Sequence, residues 1–401
     1  MKLSDLGPGL LLAATGVGVG DMVASTIAGA EHGLTLLWAV AAGVVVKFAI
    51  TEGAARWQLA TGRTLVEGWR DHLPRALLAL FGLYFLIWSY FVSSALVSAS
   101  ALVPAAIFPS VPLATWGAVH ALVAFVVVFV GRYQRFLSTV KTLIAFKFAA
   151  VVAAAVIIAV RSGAHWTTVG PASPFSTVDT LSLIGGVGGT VTLLSYGYWM
   201  REAGWSGKER LATARTDLAV SFTLVMLFCA SMMVIATNVN WQGHILEEGP
   251  RLCLLLADRI GEAIGPIGRA IFLAGFWGTA FTSVLGVWHG VPFLFDDWFH
   301  LWRGEKPAGH AGRAYRVWLM YLALAALSAL LFGRPVWLVY AYTVVGSFFF
   351  PFVISTLLWL NNAPSPQRST QRSAANGMLA NAVLVAALLM YVLLALRSVV
   401  G

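Results

Sequence analysis

A glycine-rich segment near the N-terminus ends on an acid. Residues 16–21 read GVGVGD, and Asp21 lies there within an otherwise apolar run. A charge at the centre of a bilayer costs at least about 2.5 kcal/mol, and glycine weakens a helix by about 1 kcal/mol relative to alanine. We interpret Asp21 as a cation ligand or proton carrier at a helix break. Its alternative role is a cap, because an aspartate at a helix N-terminus accepts free backbone N–H groups.

A second glycine cluster, GGVGGTVTLLSYG, covers residues 185–197. Carbonyl and hydroxyl oxygens from the two clusters would complete an all-oxygen site around the carboxylate, and such sites suit hard ions such as Mg²⁺, Ca²⁺ or Mn²⁺. The metal ligands predicted in this way are Asp21, Gly18, Gly189 and Thr192. The wider substrate site of the two clusters adds Gly20 and Ser195.

Three further ionisable residues within apolar segments are candidates for coupling or gating: Lys47, Glu52 and Lys147. Lys47 and Glu52 are five residues apart and therefore point to different sides of a helix. Buried charges are normally paired, and the sequence leaves two pairings open, Glu52 with Lys147 or Asp21 with Lys47.

The lysines also support a second class of substrate. Glycine-rich breaks expose half-helix N-termini, whose positive ends attract anionic groups. The rival hypothesis is therefore a small carboxylate-bearing organic solute or amino acid. A non-transporting membrane scaffold is a third class, disfavoured because paired helix breaks are costly without a cavity to justify them.

The chain composition places these residues in a bilayer. The 401 residues are 59% hydrophobic and 11% charged, and apolar segments of about 20 residues recur. We predict an all-α integral membrane protein with eleven transmembrane helices, roughly at 7–31, 34–55, 77–104, 113–131, 138–161, 180–200, 212–237, 265–289, 315–333, 336–360 and 377–397.

The net charge of +9 follows loop position rather than indicating a nucleic-acid partner. Most Lys and Arg residues fall at the N-terminus and in the loops after even-numbered spans, such as 56–75, 201–215 and 303–316. Because positive charge accumulates on the cytoplasmic side, we predict a multi-pass protein of the cell membrane with a cytoplasmic N-terminus and an extracytoplasmic C-terminus.

The glycine clusters lie in spans 1 and 6, the first helices of two five-helix halves. Interrupted segments at matching positions indicate a transporter site built on inverted repeats, although small residues also permit close helix packing. We predict breaks near 16–21 and 185–195, a first repeat at 1–162, a second repeat at 178–361 and a peripheral eleventh helix at 377–398. No ATP-binding motif occurs, so we expect a secondary transporter rather than an enzyme. We also expect it to be a monomer. It needs no cofactor and has the transported solute and the lipid bilayer as partners.

The sequence resembles the Nramp family of proton-coupled divalent-metal transporters along most of its length. GPGLLLAATG through ASTIAGAEHGLTLLW is similar to the first span of that family and its lead into the second. ARWQLATGRTLVEGWRDHLPR resembles the second inner loop, and IFLAGFWGTAFTSVLG resembles the eighth span. The resemblance implies the LeuT-type (APC) inverted-repeat fold shared with sodium-coupled amino-acid symporters.

The metal-binding motifs of the family do not carry over. Its Asp-Pro-Gly-Asn corresponds to Gly18–Asp21 here, so that glycine replaces the metal-binding aspartate and Asp21 replaces the asparagine. Its Met-Pro-His corresponds to Thr192–Leu194, which removes the sulfur ligand that favours transition metals. Trp277 occupies roughly the place of a polar glutamine and is predicted to form a wall of the substrate site. A divergent member with weak preference for soft metals is expected.

Overall fold

The structure, a computed structural model, describes residues 7–130, 148–161, 177–238, 251–307, 309, 312–362 and 375–400. These residues are almost entirely helical. The helices of the first half are α1 Pro8–Gly16, α2 Val19–His32, α3 Leu37–Thr61, α4 Leu65–His72, α5 Arg75–Ser100, α6 Leu102–Ile107, α7 Leu113–Val130 and α8 Phe148–Arg161.

The helices of the second half are α9 Thr177–Gly186, α10 Ser195–Glu202, α11 Leu211–Thr237, α12 Arg251–Arg303, α13 Arg313–Ala329, α14 Pro335–Ser347, α15 Phe349–Asn362 and α16 Met378–Val400. Helix α12 is kinked at Gly265, which has φ +83° and is followed by a proline. The long apolar helices pack around α1, α2, α3, α9 and α11, whose facing side chains are buried.

The first predicted span is broken in two. Helices α1 and α2 meet at 49°, with Val17 and Gly18 between them. The predicted break near 16–21 is thus confirmed in place but is shorter than expected. Residues 19–21 belong to the first turn of α2, because the Asp21 carboxylate accepts the Gly18 N–H and so caps that helix at its start.

The second predicted break is also present. Helix α9 ends at Gly186, and a 3₁₀ turn over Val191–Leu194 leads into α10. Gly188 and Gly189 between them have φ +75° and +91°, values that residues with a Cβ rarely adopt. These two glycines allow the chain to leave the helix and re-enter it within the bundle.

The described residues contain seven helices long and apolar enough to cross a membrane, or eight if the bent α1–α2 pair is one span. Three further predicted spans correspond to α8 and the Met378–Leu393 part of α16, which are shorter apolar helices, and to the interrupted α9–α10 pair. The all-helical membrane architecture is therefore confirmed. The count of eleven spans stays a prediction, and part of the span predicted at 138–161 lies outside the described residues.

Candidate functional site

The Asp21 carboxylate joins the two helix breaks. Its Oδ2 accepts the N–H of Gly18 at 3.0 Å, and its Oδ1 accepts the N–H of Gly188 at 2.6 Å. The side chain is 0% exposed. A buried carboxylate needs such partners, and Oδ2 keeps a further lone pair for another ligand. Asp21 is therefore both a helix cap, as the alternative interpretation held, and the acid at the junction of the breaks.

Backbone proximity explains the alternating glycines of GVGVGD. A Cβ added to Gly16 would lie 2.8 Å from the Gly188 carbonyl oxygen, and one added to Gly18 would lie 2.6 Å from the Ser283 hydroxyl. A Cβ on Gly20 would collide with the Tyr342 hydroxyl. Each glycine thus lets a different segment approach the break. The glycines pack closely and also line the junction.

Lys47 of α3 reaches the break that follows α9. Its ammonium donates hydrogen bonds to the carbonyl oxygens of Gly185, at 2.8 Å, and of Val187. The side chain is 0% exposed. Of the two pairings left open by the sequence, the structure favours Asp21 with Lys47, because both side chains bind the segment 185–188.

Glu52 points away from this junction, as its spacing from Lys47 predicts. It forms ion pairs with Arg56 at 3.2 Å and with Arg215 at 2.8 Å. The alternative pairing of Glu52 with Lys147 has no support, since Glu52 has these arginines as partners and Lys147 lies outside the described residues. The ion pairs give Glu52 a structural role between α3 and α11.

Thr192 and Gly189 remain side by side at the second break. A Cβ added to Gly189 would lie 2.8 Å from the Thr192 hydroxyl oxygen and 3.4 Å from Gly16 Cα. Thr192 is 4% exposed. Gly189 therefore lies against both Thr192 and Gly16 of the first break.

Gly18 and Ser195 are placed differently from the prediction. The Gly18 carbonyl accepts the Met22 N–H at 3.1 Å, so it is directed along α2 and contributes to the junction through its N–H instead. The Ser195 hydroxyl is buried against Gly290 of α12 and has no hydrogen-bond partner among the described residues.

Trp277 faces away from the helix breaks, in contrast to its predicted place in the substrate site. Its indole N–H donates to His120 Nε2 at 2.7 Å, and its ring stacks on Phe281 at 5.5 Å. Both rings line an apolar groove of about 750 Å³ that also includes Val103 and Arg269. The residue of α12 that contacts the first break is Ser283, six positions further along, on another face of the helix.

Two residues that the sequence did not mark, Cys229 and Tyr342, also lie at the junction. Cys229 Sγ of α11 lies 3.6 Å from Asp21 Oδ1, and Tyr342 of α14 packs against Gly20. Both residue types are ordinary in apolar helices, and no local spacing marks them. Only the way that α11 and α14 pack on α2 brings them to the carboxylate.

The described residues hold no group of three or more His, Cys, Asp or Glu side chains that could bind a metal. Any cation at the junction would therefore rely on a single carboxylate together with hydroxyl and backbone oxygens. Oxygen donors of this kind are hard ligands, which suit hard metal ions. The Cys229 sulfur does not change this, because the thiolate and not the thiol is the metal ligand, and here the thiol lies where it donates to a carboxylate.

Polar contacts close one side of the junction. We call this side the basic end of the bundle because Arg63, Arg201 and Arg303 lie there. Asp297 Oδ2 of α12 accepts the Thr64 hydroxyl at 2.5 Å and the Tyr198 hydroxyl at 2.7 Å.

Two further contacts reinforce this closure. Gln58 donates to the Gly197 carbonyl at 2.7 Å, and Arg201 pairs with Glu67 at 3.0 Å. Helices α3, α4, α10 and α12 are thereby tied together at the basic end.

Helix packing closes the opposite side. A Cβ on Gly29 would lie 2.6 Å from the Met233 carbonyl oxygen, and the Thr237 hydroxyl donates to the Gly29 carbonyl at 3.2 Å. Helices α2 and α11 are therefore in direct backbone contact. Asp21 is fully buried between the contacts at the basic end and the α2–α11 contact.

Solved structures with the same arrangement support the fold. A crystal structure of a mutant manganese transporter of Eremococcus coleocola has a TM-score of 0.73 at 15% identity, covering 99% of this chain and 86% of that chain. The structure of MhsT in complex with L-phenylalanine has a TM-score of 0.65 at 15% identity, covering 97% of both chains.

Sequence comparisons give the family. The model of the family described as natural resistance-associated macrophage protein-like, Nramp, matches residues 9–401. The divalent metal cation transporter MntH of Pectobacterium carotovorum is 24% identical over 305 residues, which are 71% of this chain and 71% of the relative. Together with the LeuT-like architecture, the match across almost the whole chain means that this protein belongs to the Nramp family of membrane transporters.

Proposed function

We propose that this protein moves a divalent metal cation across the cell membrane by alternating access. The observation that carries the proposal is the Asp21 carboxylate, buried at the junction of two helix breaks. The similarity to MntH and to a manganese transporter supports the substrate class. The test is Mn²⁺ uptake into proteoliposomes of the purified protein. Uptake no faster than into protein-free vesicles contradicts the proposal.

The proposed ligands are the Asp21 carboxylate, the Gly189 carbonyl and the Thr192 hydroxyl, with Gly18 and Gly20 shaping the junction and Ser195 beside it. This set contains no thioether and is mostly neutral. Hard ions prefer oxygen donors, so we propose Mg²⁺ or Mn²⁺ as the transported ion.

Thr192→Met tests the ligand assignment at the second break. The substitution puts a thioether where the wild type has a hydroxyl, and a soft sulfur donor selects soft metals. We expect Cd²⁺ affinity to rise at least about tenfold, measured by calorimetry on the purified protein, while Mg²⁺ affinity falls. The control is Thr216→Met, which places the same thioether at an exposed position of α11 and should leave Cd²⁺ affinity unchanged. Tight Cd²⁺ binding by the wild type would show that the hard-ion assignment is mistaken.

Access to the site would alternate between the two closed ends. We propose that the repeats 1–162 and 178–361 form a monomeric transporter in the bilayer, with 377–398 at the periphery. The positive-inside rule puts the basic end and the N-terminus in the cytoplasm and the C-terminus outside. Opening then requires the Asp297 contacts to break on one side, or the α2–α11 contact to separate on the other.

Asp297→Ala tests the cytoplasmic closure. The change removes the acceptor shared by Thr64 and Tyr198, so the basic end should open more often. We expect a thiol introduced by Thr51→Cys, at a buried position of the small cavity beside these residues, to react at least about tenfold faster with a maleimide. Asp258→Ala, which removes an exposed ion pair elsewhere, serves as control. Equal labelling rates in the two backgrounds would exclude Asp297 from the gate.

A carboxylate-bearing organic solute is the second candidate, and the buried Lys47 ammonium is the observation that favours it. A cation beside two half-helix termini attracts an anionic group. The charge at Asp21 separates the candidates, because a metal ion requires it and an anionic solute does not.

A further inference from the structure

Lys47 is a charged side chain enclosed by protein. Its ammonium is 0% exposed and donates to the carbonyls of Gly185 and Val187. Phe350 lies beside it, with the ring centroid 4.8 Å from Nζ. A buried charge is tolerated only when paired and hydrogen-bonded, and these groups supply that environment through carbonyl dipoles and a ring face.

The Gly185 carbonyl belongs to the last turn of α9, and the Val187 carbonyl follows the end of that helix. The last carbonyls of a helix have no partner within the helix and carry a partial negative charge. In transporters with broken helices, such half-helix ends and unwound carbonyls coordinate the coupling cation. The Lys47 ammonium therefore occupies a position built for a small cation.

Asp21 supplies a negative charge to the same helix break. It accepts the N–H of Gly188 on the same break, so the carboxylate and the ammonium hold consecutive groups of one segment. The Lys47 ammonium binds the carbonyl of Val187 and the Asp21 carboxylate binds the N–H of Gly188, so the two opposite charges lie on one peptide group.

We propose that Lys47 is a tethered cation, which occupies the cation position of the α9 break in place of a dissolved monovalent ion and competes there with the transported divalent ion. The first part concerns the protein without a bound divalent ion. The second part rests on the proposed function. If Lys47 is a tethered cation, the wild type binds no Na⁺ at the α9 break. A divalent ion must displace the Lys47 ammonium as it binds.

The experiment uses the purified full-length protein in detergent. The variants are Lys47→Gln and Lys47→Met, which remove the charge and keep a long side chain. The control is Lys208→Gln, which removes an exposed lysine between α10 and α11. For each protein, the thermal midpoint is measured in NaCl and in choline chloride of equal ionic strength, and Mn²⁺ affinity is measured by calorimetry.

We expect the wild type and Lys208→Gln to have the same midpoint in both salts. The Lys47 variants should melt lower in choline and recover by about 2–4 °C in NaCl, because an ion that binds the folded state stabilises it. Their Mn²⁺ dissociation constant should fall at least about tenfold, since removal of a like charge favours a cation.

The results that would contradict the tethered cation differ from those that would contradict metal transport. A wild-type midpoint that rises with Na⁺ overturns the inference, even if neither Lys47 variant folds. Lys47 variants that show no Na⁺ response and an unchanged Mn²⁺ affinity also overturn it, while wild-type Mn²⁺ binding leaves the proposed function standing. A gained Na⁺ response without Mn²⁺ binding in any protein upholds the tethered cation and contradicts metal transport.

Discussion

Asp21→Asn is expected to reduce Mn²⁺ uptake and Mn²⁺ affinity at least about 100-fold. The substitution removes the single carboxylate at the junction, and carbonyl and hydroxyl oxygens alone leave the charge of a divalent ion poorly offset in a low-dielectric interior. The amide also keeps only one acceptor for the N–H groups of Gly18 and Gly188. We therefore expect a loss of about 1–3 kcal/mol in stability as well.

Asp217→Asn is the matched control for this loss of stability. Asp217 of α11 is a buried carboxylate whose Oδ2 accepts the Gly9 N–H at 2.6 Å and the Tyr196 hydroxyl at 3.0 Å. Its amide variant should show a similar drop in thermal midpoint but retain Mn²⁺ affinity. If correctly folded Asp21→Asn binds Mn²⁺ at wild-type strength, the organic-anion candidate becomes the better account. An anionic substrate would bind this variant with the same or higher affinity, because a negative charge has been removed.

Gly16→Ala is expected to have the second largest effect. Its Cβ would lie 2.8 Å from the Gly188 carbonyl oxygen and 3.0 Å from the carbon of that carbonyl. These are backbone atoms, which cannot rotate away as a side chain can. The two helix breaks must therefore move apart to accommodate the Cβ. Overpacking of this kind costs about 1–3 kcal/mol, and we expect Mn²⁺ uptake to fall at least about tenfold because the junction no longer forms.

Gly278→Ala provides the comparison. Gly278 lies within α12, and a Cβ there meets no atom within 4 Å. Alanine favours a helix over glycine by about 1 kcal/mol, so this variant should be as stable as the wild type or more so, with unchanged uptake. If the two alanine variants behave alike, close contact between the breaks is not required for transport.

The helix breaks were predictable because their cause is local. Glycines at 188 and 189 adopt positive φ, and Asp21 caps α2 by accepting the N–H of Gly18, three residues earlier. Capping and backbone freedom are properties of a few adjacent residues, so a single sequence displays them. The opposite directions of Lys47 and Glu52 were predictable for the same reason, from helical periodicity alone.

The residues that other helices bring to the first break were not predictable in this way. Cys229, Tyr342 and Ser283 come from three different helices, and their nearness to the first break depends on how those helices are rotated in the bundle. Trp277 shows the same limit, because its position along α12 was estimated from family resemblance while its direction is set by packing against His120 of α7.

Anomalous diffraction from crystals soaked in Mn²⁺ tests the central claim most directly. The account predicts a manganese peak at the junction of the breaks, within about 2.0–2.6 Å of an Asp21 carboxylate oxygen, with the Lys47 ammonium displaced from the carbonyls of Gly185 and Val187. Density for an organic solute at the junction, or manganese bound only elsewhere on the protein, would contradict it.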